Sequence, residues 1–230
     1  MTGDASALQL VLSGDPELFA IVELSLIVSL TALLFASLIG IPAGAFLALV
    51  RFPGREGVII MLNAMMGVPP VVIGLAVFLL LSRSGPLGEW GLLFTPQAMV
   101  IAQTVMVAPI MAALSRQTIE DLWAEYREEL TAMNVSPARR IATLIWDARF
   151  SLVTALLAGF GRAASEVGAI IIVGGNIQGF TRTMTTAIAL ETSKGDLSLA
   201  VGLGMILISI VIVINALAWG ARRAGERYAG

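Results

Sequence analysis

The chain contains no histidine and no cysteine. The two absences exclude disulfides, thiol chemistry and metal sites of the His/Cys kind. Charge is scarce too. Asp, Glu, Lys and Arg make up 13% of the 230 residues, against about 25% in a soluble domain. Apolar residues take their place: 57% of the chain is hydrophobic and the mean hydropathy is +0.90. This is the composition of an integral membrane protein. The net charge of -2 says little, because distribution matters more than sum. The first twenty residues, MTGDASALQLVLSGDPELFA, are acidic and have no basic n-region, so no signal peptide is expected. No G-x-x-x-x-G-K-[ST] run occurs, so the chain is not expected to hydrolyse ATP.

A membrane-spanning helix needs about 20 mostly apolar residues. Five stretches qualify, near residues 19–50, 58–81, 96–114, 151–173 and 199–220. Their apolar residues wrap all round, as expected for helices in lipid. The expected fold is all-α, a single transmembrane domain over residues 1–230. Placing the N-terminus outside puts Arg51, Arg55, Arg116, Arg127, Arg139, Arg140, Arg149, Arg222, Arg223 and Arg227 in the cytoplasm. Only Arg83, Arg182 and Lys194 then fall outside, with Arg162 inside a span. That asymmetry favours N-out, C-in.

Between the third and fourth expected spans lies the longest polar interruption, residues 124–149. Glu125, Glu128 and Glu129 read as the start of a short amphipathic helix, where the macrodipole favours acids. Tyr126, Leu130 and Met133 would form its apolar face. Asn134 suits a left-handed helix end, and Ser136-Pro137 suits a new N-terminus. Helix, sharp turn and helix would present an apolar knob with an acidic flank to a cytoplasmic partner. An amphipathic helix lying on the bilayer is the alternative, but such helices are usually richer in Lys and Arg.

Inside the membrane, Pro69 and Pro70 should break or kink the second span. That break serves either as a packing kink or as a gating hinge. Arg162 and Glu166 are four apart in the fourth span, and the spacing predicts an ion pair. The pair either lines a path or locks helix packing. Asn63, Gln103 and Asn215 are read as interhelical hydrogen-bonding residues. On the outer side, Gly174-Gly175-Asn176 predicts a turn. Residues 184–190 are apolar but too short to span, and read as an interfacial or re-entrant helix.

The run Glu128-Glu129-Leu130-(three residues)-Asn134-(nine residues)-Leu144-Ile145-Trp146-Asp147 resembles the cytoplasmic signature of ABC importer permeases, E-A-A-x3-G-x9-I-x-L-P. Glu129-Leu130 stands for Ala-Ala, Asn134 for Gly and Trp146-Asp147 for Leu-Pro. The segment Gly159–Ala169, GFGRAASEVGA, is similar to a run shared by permeases for molybdate, tungstate and sulfate. The segments around Asn176, Arg182 and Thr185 look most like the tungstate branch.

The resemblance implies a type I ABC importer permease core in a prokaryotic inner membrane, acting as a homodimer. Two ATP-binding cassette subunits would carry ATP and Mg, and an external binding protein would deliver the oxyanion. The chain itself would bind no cofactor, no metal and no nucleic acid, and its remaining partner would be lipid. The implied ATPase-coupling residues are Glu125, Glu128, Glu129, Leu130, Met133, Asn134 and Arg139. Pathway or packing roles fall to Arg162, Glu166, Pro69, Pro70, Asn176, Arg182 and Thr185. Tungstate is the expected substrate, with molybdate and then sulfate as alternatives. A stand-alone secondary transporter or channel is the competing class, but no internal repeat is evident. A membrane-embedded enzyme is disfavoured by the missing His and Cys and the lack of an Asp pair in the spans.

Overall fold

A computed structural model describes residues 16–229, and every regular element among them is helical. In chain order these are α1 (Pro16–Leu49), α2 (Arg55–Gly67), α3 (Pro70–Leu81), α4 (Pro96–Ala132), α5 (Pro137–Asp147), α6 (Arg149–Ala164), α7 (Gly168–Gly174), α8 (Met184–Lys194) and α9 (Leu197–Ala229). A short 3-10 turn at Gly88–Trp90 lies between α3 and α4. Three helices are long and apolar enough to cross a bilayer: α1, α4 and the Leu197–Gly220 part of α9. Two bent pairs, α2 with α3 and α5 with α6, raise the number to five if each pair is one span.

The spine is α1 against α4. Gly40 and Gly44, four apart on α1, let the two backbones touch. A Cβ on Gly40 would lie 2.6 Å from Met111 Cβ and 2.8 Å from Ala108 O, and one on Gly44 would overlap Ala112 O. Small residues at such spacing are how helices in lipid approach closely. Val28, Ala36, Met99, Ala102, Met106, Val107 and Met111 fill the resulting core. By contrast, α9 is peripheral, with only 17% of its apolar window buried in the chain.

The helix boundaries correct two expectations and bear out a third. First, α4 does not end near residue 114; it runs for 37 residues to Ala132, about 55 Å at 1.5 Å per residue. No glycine or proline stands between Leu114 and Ala132, and polar residues alone do not stop a helix. Glu125, Glu128 and Glu129 therefore lie in its C-terminal turns, where the macrodipole does not favour them. Second, the span expected over residues 151–173 is two helices, α6 and α7, interrupted at Ser165–Val167. Third, the stretch 58–81 is broken at Val68-Pro69, and α2 and α3 meet at 103°. That is far sharper than a kink, because Pro69 and Pro70 together supply no backbone donor to α2.

Candidate functional site

At the cytoplasmic signature, α4 ends at Ala132, Asn134 takes the left-handed conformation (φ 50°) and α5 starts at Pro137 with Ser136 at its N-cap. Val135 N donates to Leu130 O at 3.2 Å, closing the turn. The reversal at Asn134 and the Ser136-Pro137 start agree with the sequence. The amphipathic element, however, is α5 and not Glu125–Asn134. Ile141, Leu144, Ile145 and Ala148 recur at helical spacing and pack on Ala45, Ala48 and Ile119. That 3.6-residue recurrence was present in the sequence and is the signal that locates the helix.

Tyr126 and Leu130 turn inward onto the same cluster. Leu130 is thus not an exposed knob. The exposed apolar residues here are Met133 (74%) and Trp146 (67%). Glu125, Glu128, Glu129 and Arg139 are all exposed around them. Arg140 lies 5.5 Å above the Trp123 ring and donates through Nε to Val135 O, tying α5 back to α4. The bend between α5 and α6 is 72°.

The second cluster surrounds the α6–α7 break. Glu166 is 3% exposed. Its Oε1 accepts the Ala169 N–H at 3.0 Å, and Oε2 lies 3.5 Å from Arg162 Nη1. The expected pair is present, but it bridges the end of a helix and does not ride along one. A buried carboxylate is tolerable here because a guanidinium and a backbone donor both face it. Gln103, fully buried on α4, donates to Ala163 O at 2.9 Å, the interhelical bond the sequence suggested. Thr185 on α8 donates to Glu166 O at 2.7 Å. Three elements therefore hold one interruption open. Ala163 O, which also accepts Glu166 N at 3.2 Å, and Glu166 O thus gain donors from α4 and α8.

The α2–α3 break is its neighbour. A Cβ on Gly168 would lie 2.8 Å from Val71 Cγ2, and one on Gly74 would lie 2.7 Å from Ala169 Cα. Two interrupted helices are thus in backbone contact where both restart, beside the half-buried Arg162. Of the other polar residues, Asn215 bonds within its own helix, to Val211 O, and Asn63 is exposed.

On the side to which α3 and α7 lead, Gly175 (φ 72°) and Asn176 (φ 49°) make the expected turn. Thr181 Oγ1 donates to Gly174 O and accepts from Ile177 N, stiffening the loop. Residues 184–194 form α8, opened by a Thr183/Thr186 capping box and fastened to α1 through Met184 N donating to Ser25 Oγ at 2.7 Å. Ser25 had no signal in the sequence, and the capping role of Thr183 and Thr186 had little, because Thr183-x-x-Thr186 departs from the usual Ser/Thr-x-x-Glu pattern. Arg182 and Glu17 line a cavity of about 230 Å³ with Gln178, Glu191 and Lys194. Arg182 is half-buried and its Nε has no partner among the described residues. No group of three or more acidic residues able to hold a metal occurs among the described residues.

Residues 40–224 match the family described as binding-protein-dependent transport system inner membrane component. The chain belongs to this family. It is therefore an ABC importer permease, a multi-pass subunit of the inner membrane. It is 40% identical to a probable anion ABC transporter permease protein of Haloferax volcanii, over 89% of this chain and 90% of that one. It is 38% identical to the tungstate uptake system permease protein TupB of Peptoclostridium acidaminophilum, over 93% and 94%. Its fold matches an inward-facing structure of the MetNI methionine ABC transporter with a TM-score of 0.75. The match covers 90% of this chain and 95% of that one at 19% identity.

Proposed function

We propose that this permease forms, as a homodimer, the path by which an ATP-driven importer takes up an oxyanion, with tungstate as the substrate. The substrate rests on the 38% identity to a tungstate uptake permease across nearly the whole of both chains. Tungstate and molybdate share charge and nearly share size, so molybdate is the competitor to test. Five spans, N-out and C-in, follow from the Lys and Arg asymmetry. A binding protein would dock outside, near Asn176 and Arg182. Two ATP-binding subunits, carrying ATP and Mg, would dock on the α4–α5 turn.

The observation that supports coupling is mechanical. The single helix α4 carries Leu130 at one end and Gln103 farther up, and Gln103 bonds the α6–α7 break. Movement imposed at Met133, Trp146 and the Glu125–Glu129 acids reaches Ala163 and Glu166 along one continuous helix, which carries Pro109 in its interior. Arg162 and Glu166, with Thr185, Pro69 and Pro70 around them, then form the part of the path that changes shape.

The test is reconstitution of the chain with its cognate ATP-binding subunit and binding protein in liposomes. ATP-dependent tungstate uptake, competed by molybdate only at higher concentration, is expected. Uptake through the chain alone would replace this reading with a channel or secondary transporter. Changing Glu128 and Leu130 together should abolish transport-coupled ATPase while leaving the membrane core folded.

A further inference from the structure

A separate concentration of charge sits where α1 leaves its apolar stretch. Arg55 is 7% exposed. Its Nε donates to Leu47 O at 2.7 Å, closing the end of α1, and its terminal nitrogens reach Glu56 and Glu120. Glu120 is shared, because its second oxygen accepts from Arg116. Arg116 Nε is buried without an acceptor among the described residues. Beside this network opens a pocket of about 370 Å³. One wall is a single face of α4, with Glu120, Trp123 and Arg127 at helical spacing; Arg51 and Arg55 stand on the other. Arg51 and Arg127 are exposed and make no ion pair among the described residues. Around the pocket, the guanidiniums of Arg51, Arg55, Arg116 and Arg127 outnumber the carboxylates of Glu56 and Glu120.

The surroundings decide what kind of anion fits. The apolar run of α1 ends at Val50, so Arg51 and Arg55 lie at the membrane boundary. On the apolar side, Phe46 is 46% exposed and its ring lies 5.9 Å from that of Phe52. Ile60 and Met61 of α2, which begins at Arg55, are 68% and 65% exposed. A basic pocket larger than a phosphate ion and bordered by bare apolar surface matches a phospholipid better than a free ion. Arginine suits phosphate through paired N–H donors, and basic pockets between helices at this depth take anionic headgroups. We propose that Arg51 and Arg127 grip the phosphate of an anionic membrane lipid, over the Trp123 floor, with its acyl chains along Phe46 and α2.

The test uses the full chain purified in mild detergent, stripped of lipid and titrated with phosphatidylglycerol, with binding read by native mass spectrometry. Arg51→Gln with Arg127→Gln should weaken binding roughly 30-fold, from about 1 kcal/mol per basic residue at the surface. Arg51→Lys with Arg127→Lys should keep most of it. Both variants should melt with the parent, since neither side chain bonds to the described residues. Millimolar inorganic phosphate should neither bind nor compete. Unchanged phosphatidylglycerol binding in the Gln variant overturns the proposal. So does binding of inorganic phosphate alone, which would make this a soluble-phosphate site. Loss of the ATP-binding subunit on co-purification, with lipid binding intact, would make it a protein-docking surface and overturn it as well.

Discussion

The two helix breaks lie side by side and are made in opposite ways. The α2–α3 break is covalent in origin. Pro69 and Pro70 lack donors and push Val68 to an extended conformation (φ -64°, ψ 130°), so the chain must turn there whatever surrounds it. The α6–α7 break contains neither proline nor glycine in Ser165–Val167. It is held by side chains: Gln103 adds a second donor to Ala163 O, Thr185 donates to Glu166 O, and the Glu166 carboxylate accepts the Ala169 N–H. A break written into the backbone is fixed. A break held by side chains from other helices can be remade when those helices move, and that is the one suited to a switching path.

The largest expected effect comes from Glu166→Ala. It uncaps Ala169 N–H and leaves Arg162 without its carboxylate inside the membrane. Removing one partner of a buried pair costs about 3–5 kcal/mol. The detergent-solubilised chain should lose thermal stability sharply, read by tryptophan fluorescence, and transport should cease. Survival of the parent melting temperature would show that the α6–α7 break does not depend on this carboxylate. Gly74→Ala comes next. Its methyl would meet Ala169 Cα, a backbone atom that cannot step aside, and overpacking of this kind costs about 1–3 kcal/mol. If the two breaks work as one unit, this change impairs transport more than stability; a loss in stability alone would separate them.

How much of this was legible in advance follows the same division. The proline break could be read from two letters. So could the reversal at Asn134 and Ser136-Pro137, because turn chemistry is local. The turn between α4 and α5 falls within the signature's span, at Asn134 and Ser136-Pro137. The amphipathic helix is misplaced because Glu125–Glu129 look like an acidic N-terminus when the third span is ended near residue 114. The α6–α7 break was read through, since nothing in Ser165-Glu166-Val167 opposes a helix; its cause lies on α4 and α8, far away in sequence. The Arg162–Glu166 pair was found by i, i+4 spacing, which still held because Ser165 keeps helical torsions (φ -90°, ψ 0°) for one more residue. The Arg116–Glu120 half of the other network has the same i, i+4 spacing, but its Arg55–Glu120 link joins residues 65 apart and had no local signal.

Gln103→Met keeps the volume of a fully buried side chain and deletes its bond to Ala163 O. The expected loss is about 1–2 kcal/mol, softened because Gln103 Oε1 has no partner to lose. Thr185→Val removes the bond to Glu166 O and should cost about 1 kcal/mol. Both changes act on the same break, so their double mutant should depart from additivity, measured by a thermal-melt cycle. Strict additivity would mean that α4 and α8 hold separate structures.

Pro70→Ala should have the smallest effect on stability and therefore sharpens the comparison most. Pro70 sits at the first position of α3, where its missing N–H costs nothing. Replacing it releases conformational freedom mainly in the unfolded chain, a loss of about 0.4–1 kcal/mol. Pro69 remains and still withholds a donor, so the bend should survive the single change. If Pro70→Ala leaves both melting temperature and transport near the parent while Thr185→Val impairs transport, the working break is the one held by side chains. If the proline change stops transport in a chain that melts normally, the rigid break is the hinge, and the α6–α7 junction is scaffolding around it.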